Sequence, residues 1–235
     1  RVIPKRWIES SPLLAGMRME RRRQASLQTH DAAAGLIANL KDRVANGEFG
    51  DIVDPAVSIV IPVHNDAQFL DEAISSVFLQ TDQSFEIVVV NDGSDDPDSL
   101  AILDAIDWPR TTVLHQSNRG LAAARNAGIA ASRGEFIVPL DVDDAIDQRF
   151  IEALRTALRE QPSAAYATSW TRLTGDVDAI WIPRRFNEYQ ILLNNSNVGC
   201  VLMRRDAFDA VGGYDESMRS GNEDWDLWVR LMAVG

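Results

Sequence analysis

The sequence predicts an α/β fold built on a mostly parallel, Rossmann-like central sheet flanked by helices, with a helical extension in front of it. Two observations carry that prediction: from Val57 onward, apolar runs of five to seven residues alternate with helical stretches, and acidic or amide residues follow the runs directly. Strands joined by helices of this length must run parallel and be covered on both faces.

Val57–Val63 (VSIVIPV) reads as the first buried strand. Asn65 or Asp66 can cap the helix that follows, which runs to about Leu79 with Phe69, Leu70, Ala73, Ile74 and Val77 inward. Phe85–Val90 is strand two, leading into the turn Asn91-Asp92-Gly93-Ser94-Asp95-Asp96. Leu100, Leu103 and Ile106 then mark a helix stopped by Trp108-Pro109. Thr111–His115 is strand three, and Gly120–Ala131 is an Ala-rich helix suited to close packing on a sheet. Glu135–Leu140 is strand four, and Asp147–Glu160 another helix. Ala164–Trp170 and Val198–Arg204 read as later strands, separated by an irregular stretch of the kind that carries specificity. Glu223–Val234 is an amphipathic helix offering Trp225, Trp228 and Leu231 for packing, with Gly235 where a C-cap falls. The expected division is a helical extension over 1–51 and one domain over 52–235.

Composition narrows the function. With 46% hydrophobic and 25% charged residues the chain can build a core, and its best apolar run, Ala32–Leu40, is far short of the roughly 20 residues a membrane-spanning helix needs. The first residue is Arg and the opening lacks an apolar signal region, so the sequence is expected to begin inside a longer protein. A lone Cys200 and three histidines exclude an internal disulfide and a Cys/His zinc cluster, which makes a reducing, cytoplasmic setting the default. The net charge of −12 is uneven: the body is strongly acidic and the first 50 residues are basic. Such a body repels nucleic acid, and a phosphate-bearing ligand would need help from cations. Arg21, Arg22 and Arg23 read first as a solvated helix face, and second as a contact for an anionic membrane surface or another domain.

Ligands of open parallel sheets bind at the carboxyl ends of the strands. Here those ends carry His64-Asn65-Asp66, Asn91 to Asp96, and Asp141-Val142-Asp143-Asp144. Crowded carboxylates favour a cation among them, and oxygen ligands suit Mg²⁺ or Mn²⁺. A calcium loop beginning at Asp141 fails, because Ala145 and Ile146 fall where an oxygen ligand and a Gly are needed. Arg119 and Arg125 can pair with phosphate or bond a base. Glu223 and Asp224 open the last helix, where they fit dipole stabilisation, and either can act as a general base.

Together these segments resemble the inverting family 2 glycosyltransferases of the GT-A fold, from about Val57 to Leu231. Val57–Asn65 is similar to that family's opening strand and its Pro-x-Tyr-Asn end, Asn91–Asp96 to the Asp-Gly-Ser turn, and Asn118–Gly128 to the Asn-x-Gly…Ala-Arg-Asn-x-Gly stretch. Asp141–Asp144 resembles the Asp-x-Asp-Asp metal motif. Val211–Glu216 and Glu223–Leu231 resemble the Gly-Gly-Tyr/Phe-Asp-Glu and Glu-Asp-x-Asp-Leu-Trp segments.

The resemblance implies a nucleotide-diphosphate sugar as donor, foremost a UDP-sugar, and a hydroxyl of a glycan or lipid-linked saccharide as acceptor, as in polysaccharide assembly. It further implies that Asp92 and Arg125 contact the nucleoside and that Pro62, His64 and Asn65 line the base. Asp141 or Asp143 would lie near the ribose, Asp143 and Asp144 would bind Mn²⁺ or Mg²⁺, and Asp224 would be the catalytic base beside Glu223. Two departures stand out: His64 replaces the usual Tyr, and the chain stops where family members continue on the acceptor side, without a Gln-x-x-Arg-Trp motif. A nucleotidyltransferase is disfavoured because Pro62-Val63-His64-Asn65 holds neither Gly nor Lys. A non-catalytic nucleotide-sugar-binding domain is the other alternative.

Overall fold

The structure is a computed structural model that describes residues 34–174, 178–182, 188–193, 195 and 200–235. The chain divides into two compact units, 1–42 and 43–235. A helix, α1, covers 34–45; the arginine triplet Arg21–Arg23 lies outside the described residues.

The body is built on a six-stranded sheet. Its strands are β1 (Val57–Val63), β2 (Phe85–Asp92), β3 (Thr111–Gln116), β4 (Phe136–Pro139), β5 (Tyr166–Thr168) and β8 (Val201–Arg204), in the order β3-β2-β1-β4-β8-β5. β1 pairs in parallel with β2 and β4, and β2 with β3, whereas β8 runs antiparallel to both β4 and β5. The predicted mostly parallel sheet is therefore present. Every residue of β1 and β2 is buried, which is why both read as continuous apolar runs rather than as alternating ones.

Helices cover both faces. α2 (Leu70–Phe78) meets one through Phe78, whose ring stands edge-on to Phe85 at 5.0–5.3 Å from its aromatic neighbours Phe49 and Phe85. α4 (Leu121–Ala131) lies against the other and shares a core with α8 (Glu223–Leu231), in which Val60, Val90, Ile137, Met203, Trp228 and Leu231 take part. Gly128 sets the spacing of α4: a Cβ there would stand 2.9 Å from Val90 and closer still to Val60. The remaining elements are α3 (Pro97–Asp104), α5 (Phe150–Glu160), the antiparallel pair β6 (Thr171–Leu173) and β7 (Ala179–Trp181), α6 (Glu188–Ile191) and α7 (Arg205–Ala210). Among the described residues, no helix is long and apolar enough to cross a membrane.

Several boundaries differ from expectation. A 3-10 turn, Ala67–Phe69, precedes α2, and neither Asn65 nor Asp66 caps it with a side chain. Phe69 is 41% exposed because that turn rotates it off the inner face. α5 begins at Phe150, since Asp147 is spent on a tight turn that closes through Phe150 N–H to Asp147 C=O. α8 ends at Leu231, so Met232 rather than Gly235 is the C-cap. The strand expected over Ala164–Trp170 is regular only at Tyr166–Thr168.

Candidate active site

The parallel register brings the strand ends to one rim: Val63 lies beside Asn91, Pro139 beside Val60, and Asp92 beside Gln116. β2 runs two residues further than its apolar run, so Asn91 and Asp92 belong to the strand and not to the turn. Asp92 is buried, and its carboxylate accepts hydrogen bonds from the backbone N–H of Arg119 (2.8 Å) and Gly120 (2.8 Å) and from Gln116 Nε2 (2.7 Å). It therefore neutralises the start of α4, where Gly120 at φ 92° has no side chain to do so. Gly93 follows with φ 72°, and a Cβ there would collide with the Asn118 backbone, so the turn needs glycine on both counts.

Asn65, expected to line the base, stands behind the wall. At φ 64°, its Oδ1 accepts from Asp95 N–H (2.9 Å) and Asp96 N–H (3.0 Å), and its Nδ2 donates to Asp95 Oδ1 (2.7 Å). It locks the β1 loop to the β2 turn, while Asp96 caps α3 by accepting from Ser99 N–H at 2.7 Å.

A cleft of about 320 Å³ opens at this rim, lined by Pro62, His64, Asp92, Asp141 and Asp143 among the expected residues, and also by Asn118. The His64 imidazole is held on two sides: Nδ1 lies 3.1 Å from the Asp92 carbonyl and Nε2 lies 3.2 Å from Asn118 Nδ2. With the proton on Nδ1, both contacts are hydrogen bonds. Asn118 is marked in the sequence as the first residue of the Asn-x-Gly stretch, with no site role given to it.

The third strand end is acidic. Desolvation, and then the neighbouring charges of Asp141 and Asp143, push the Asp144 carboxyl up to about 6. Like-charge crowding of this kind is relieved by a cation, and oxygen donors suit Mg²⁺ or Mn²⁺, so the residues fit such an ion. Among the described residues no group of three or more His, Cys, Asp or Glu is disposed to chelate a metal, so an ion held here would take part of its coordination from ligand oxygens or water.

Arg125 occupies a different place from the one expected. It is buried, and its guanidinium donates to Asp141 at 2.6 Å and Glu223 at 2.8 Å while lying 5.4 Å from the centre of the Tyr214 ring. Burial opposes its charge, but Tyr214, Asp141 and Glu223 outweigh that and hold its pKa above the ordinary value. It does not line the cleft; it ties the loop after β4 to the start of α8. Burial drives the Tyr214 hydroxyl pKa up. Arg119 is likewise not free, pairing at the surface with Glu216 at 2.7 Å.

At α8, Gly221 (φ 93°) and Asn222 (φ 68°) turn the chain in the left-handed region, and Asn222 makes no side-chain cap. The two carboxylates that follow differ sharply. Glu223 is buried and committed to Arg125, whereas Asp224 is half-buried, accepting from Trp225 N–H at 2.6 Å and from Asn195 Nδ2 at 3.0 Å. Asn195 lies in the irregular stretch, where nothing in the sequence singled it out. Cys200 sits just before β8, and burial, then Asp144 and Asp141, push its thiol pKa up.

Fold and rim together define a Rossmann-like α/β domain with a ligand cleft at the carboxyl ends of its parallel strands. The chain belongs to glycosyl transferase family 2, whose family model matches residues 58–224. Glycosyltransferase GlyG of Streptococcus pneumoniae is 40% identical over 108 residues, covering 45% of this chain and 36% of that protein. Putative glycosyltransferase EpsH of Bacillus subtilis is 44% identical over 106 residues, covering 44% and 30%. The match thus spans about a third of the length of these relatives. Among solved structures, S. aureus TarS 1-349 superposes with a TM-score of 0.63 at 18% identity, covering 76% of this chain and 55% of that one. The mannosyltransferase PcManGT of Pyrobaculum calidifontis, crystallised with GDP-Man and Mn²⁺, gives 0.56 at 19% identity, covering 87% and 62%. The mostly parallel sheet flanked by helices is the GT-A-like fold of these proteins.

Proposed function

We propose that residues 52–235 form the catalytic domain of an inverting glycosyltransferase, preceded by a helical extension over 1–51. In this reading it moves a sugar from a nucleotide-diphosphate sugar, foremost a UDP-sugar, to a hydroxyl of a glycan or lipid-linked saccharide. The observation that carries the reading is the Arg125 clamp, which joins the acidic loop after β4 to the helix bearing Asp224. The glycosyltransferase names of the relatives and the nucleotide ligands of the structural neighbours, UDP and UDP-GlcNAc with TarS and GDP-Man with PcManGT, support the donor class.

Pro62, His64 and Asp92 line the nucleoside, and Asp141 and Asp143 approach the ribose. Asn65 and Arg125 act behind the wall as supports. Asp143 and Asp144 would hold Mn²⁺ or Mg²⁺, which would supply positive charge to the diphosphate. Asp224, a carboxylate of α8 with no cationic partner among the described residues, takes the proton of the acceptor hydroxyl. The acceptor oxygen bonds to the anomeric carbon as the bond from that carbon to the diphosphate oxygen breaks. The nucleoside diphosphate departs with the electron pair from the opposite face, and configuration inverts.

The test is a thermal-shift panel of UDP, dTDP, GDP, CDP and ADP with and without Mn²⁺, since a ligand of the native state raises its melting temperature. A Mn²⁺-dependent rise with one diphosphate is expected, and names the base. Release of that diphosphate from its sugar, abolished in Asp224→Asn, completes the assignment; binding without release in the wild type would make this a non-catalytic sugar-nucleotide domain instead.

A further inference from the structure

The segment carrying α6 is tied to α8 by two side-chain hydrogen bonds. The Trp225 indole donates to the Ile191 carbonyl at 2.5 Å, and Asn195 Nδ2 donates to Asp224 Oδ2 at 3.0 Å. Ile191 is buried in the core that α8 shares, so the segment is anchored just before Asn195. The orientation of the Asn195 amide follows from charge: reversed, it would set its oxygen against a carboxylate. Among the described residues the two oxygens of Asp224 thus receive one donor each, Oδ1 from its neighbour's backbone and Oδ2 from Asn195. An ionised carboxylate has about four lone-pair sites, so each oxygen retains one for a substrate proton. The far side of the same amide is also informative. Asn195 Oδ1 is buried with no hydrogen-bond partner among the described residues, and a buried acceptor is rarely left so unless a ligand completes it.

We propose that Asn195 is a positioning residue for transfer: its Nδ2 fixes the plane of the Asp224 carboxylate, and its Oδ1 accepts a hydrogen bond from a hydroxyl of the bound substrate. The inference rests on Asp224 as base and deepens that reading. It predicts a defect in turnover rather than in donor binding, because Asn195 does not line the nucleotide cleft. Misplacing a reacting group by about 1 Å costs on the order of 100-fold.

The experiment measures nucleoside diphosphate release from whichever of UDP-GlcNAc and GDP-mannose the wild-type chain turns over in Mn²⁺. The variants are Asn195→Leu, which has neither group, Asn195→Asp, which is isosteric and keeps only acceptors, and Asn195→Ser, which keeps a hydroxyl. Leu and Asp are expected to lose about 10- to 100-fold in kcat, with affinity for the nucleoside diphosphate within about twofold of wild type. Ser is expected to recover part of the loss. In an Asp224→Asn background, Asn195→Asp should cost nothing further, since no base remains to be positioned; a merely structural defect would multiply. Wild-type turnover in Asn195→Asp, or a multiplying loss in the double variant, overturns the inference. If Asp224→Asn keeps wild-type turnover, the base assignment falls and this inference with it. If Asp224→Asn is dead while the Asn195 variants are active, the inference alone falls.

Discussion

Two regions of the domain are built differently. On the side of β1, β2 and α4, polar side chains at the strand ends are committed to the backbone of a neighbouring element: Asp92 accepts three hydrogen bonds, Asn65 bridges two loops, and Gly128 lets α4 close on Val60 and Val90. In β5 to β7 the strands are three residues long, and large apolar side chains in or beside them face solvent, Trp170 at 67% and Ile180 at 63% exposed. The contrast separates two tasks. A wall whose polar groups are already satisfied can hold one ligand shape without reorganising, whereas a loosely packed edge can change its residues without disturbing the core.

Five substitutions and one titration test that division. The largest effect is expected from Asp224→Asn, a loss of about 10²- to 10⁴-fold in turnover, with little change in melting temperature; retained turnover would take the chemistry away from α8. Next is Arg125→Met, which leaves Glu223 buried without its cation and should cost about 3–5 kcal/mol in urea unfolding. Adding Glu223→Gln should restore part of it, and a loss under about 1 kcal/mol would show that the clamp does not hold the loop after β4 to α8. Asp92→Ala orphans the N–H groups at the start of α4 and should destabilise by about 1–3 kcal/mol, read in the same unfolding curves. At the small end, Trp170→Ser should shift stability by no more than about 0.5 kcal/mol, a result that a packed wall could not give.

The titration concerns Asp144, whose carboxyl holds its proton up to about 6. Only the ionised form binds a cation, so Mn²⁺-dependent donor binding should be flat above pH 6 and weaken by up to about tenfold per unit below it. Without the cation the sign reverses. The unfolded chain releases this proton near its ordinary value of about 4, so the native state is relatively favoured on the acid side, and that contribution is lost as pH rises through about 6. Asp144 is exposed as a residue even though its carboxyl is partly desolvated beside Asp141 and Asp143, so screening keeps this second effect small. Isothermal titration with Mn²⁺ across pH 4.5–8 reads the first effect, and the melting temperature the second.

The same division governs what the sequence reveals. β1, β2 and α8 are legible because burial on both faces, or on one helical stripe, writes itself into local periodicity. The rim is legible because strand ends are polar where the strands are not. Arg125 is another matter: in an Ala-rich helix a guanidinium reads as exposed, and its partners lie 16 and 98 positions away. Asn65 and Phe69 were misplaced for a related reason, since a left-handed residue and a 3-10 turn precede α2 and shift its phase. Asn195 has no local signal, because its meaning depends on a carboxylate 29 residues later.

The 98-residue span of the Arg125–Glu223 pair also orders events during synthesis. A chain that folds from its N-terminal end completes β1 to β4 and α4 while the ribosome has yet to make α8. Through that interval Arg125 has no Glu223, and the core it enters cannot close around an unpaired cation without penalty. Docking of α8 is therefore the step that consolidates this half of the core, and it delivers Asp224 in the same motion. Under the proposed mechanism the domain gains its final stability and its base together, so a nascent or clipped chain lacking the last helix would be both incompletely folded and without that carboxylate.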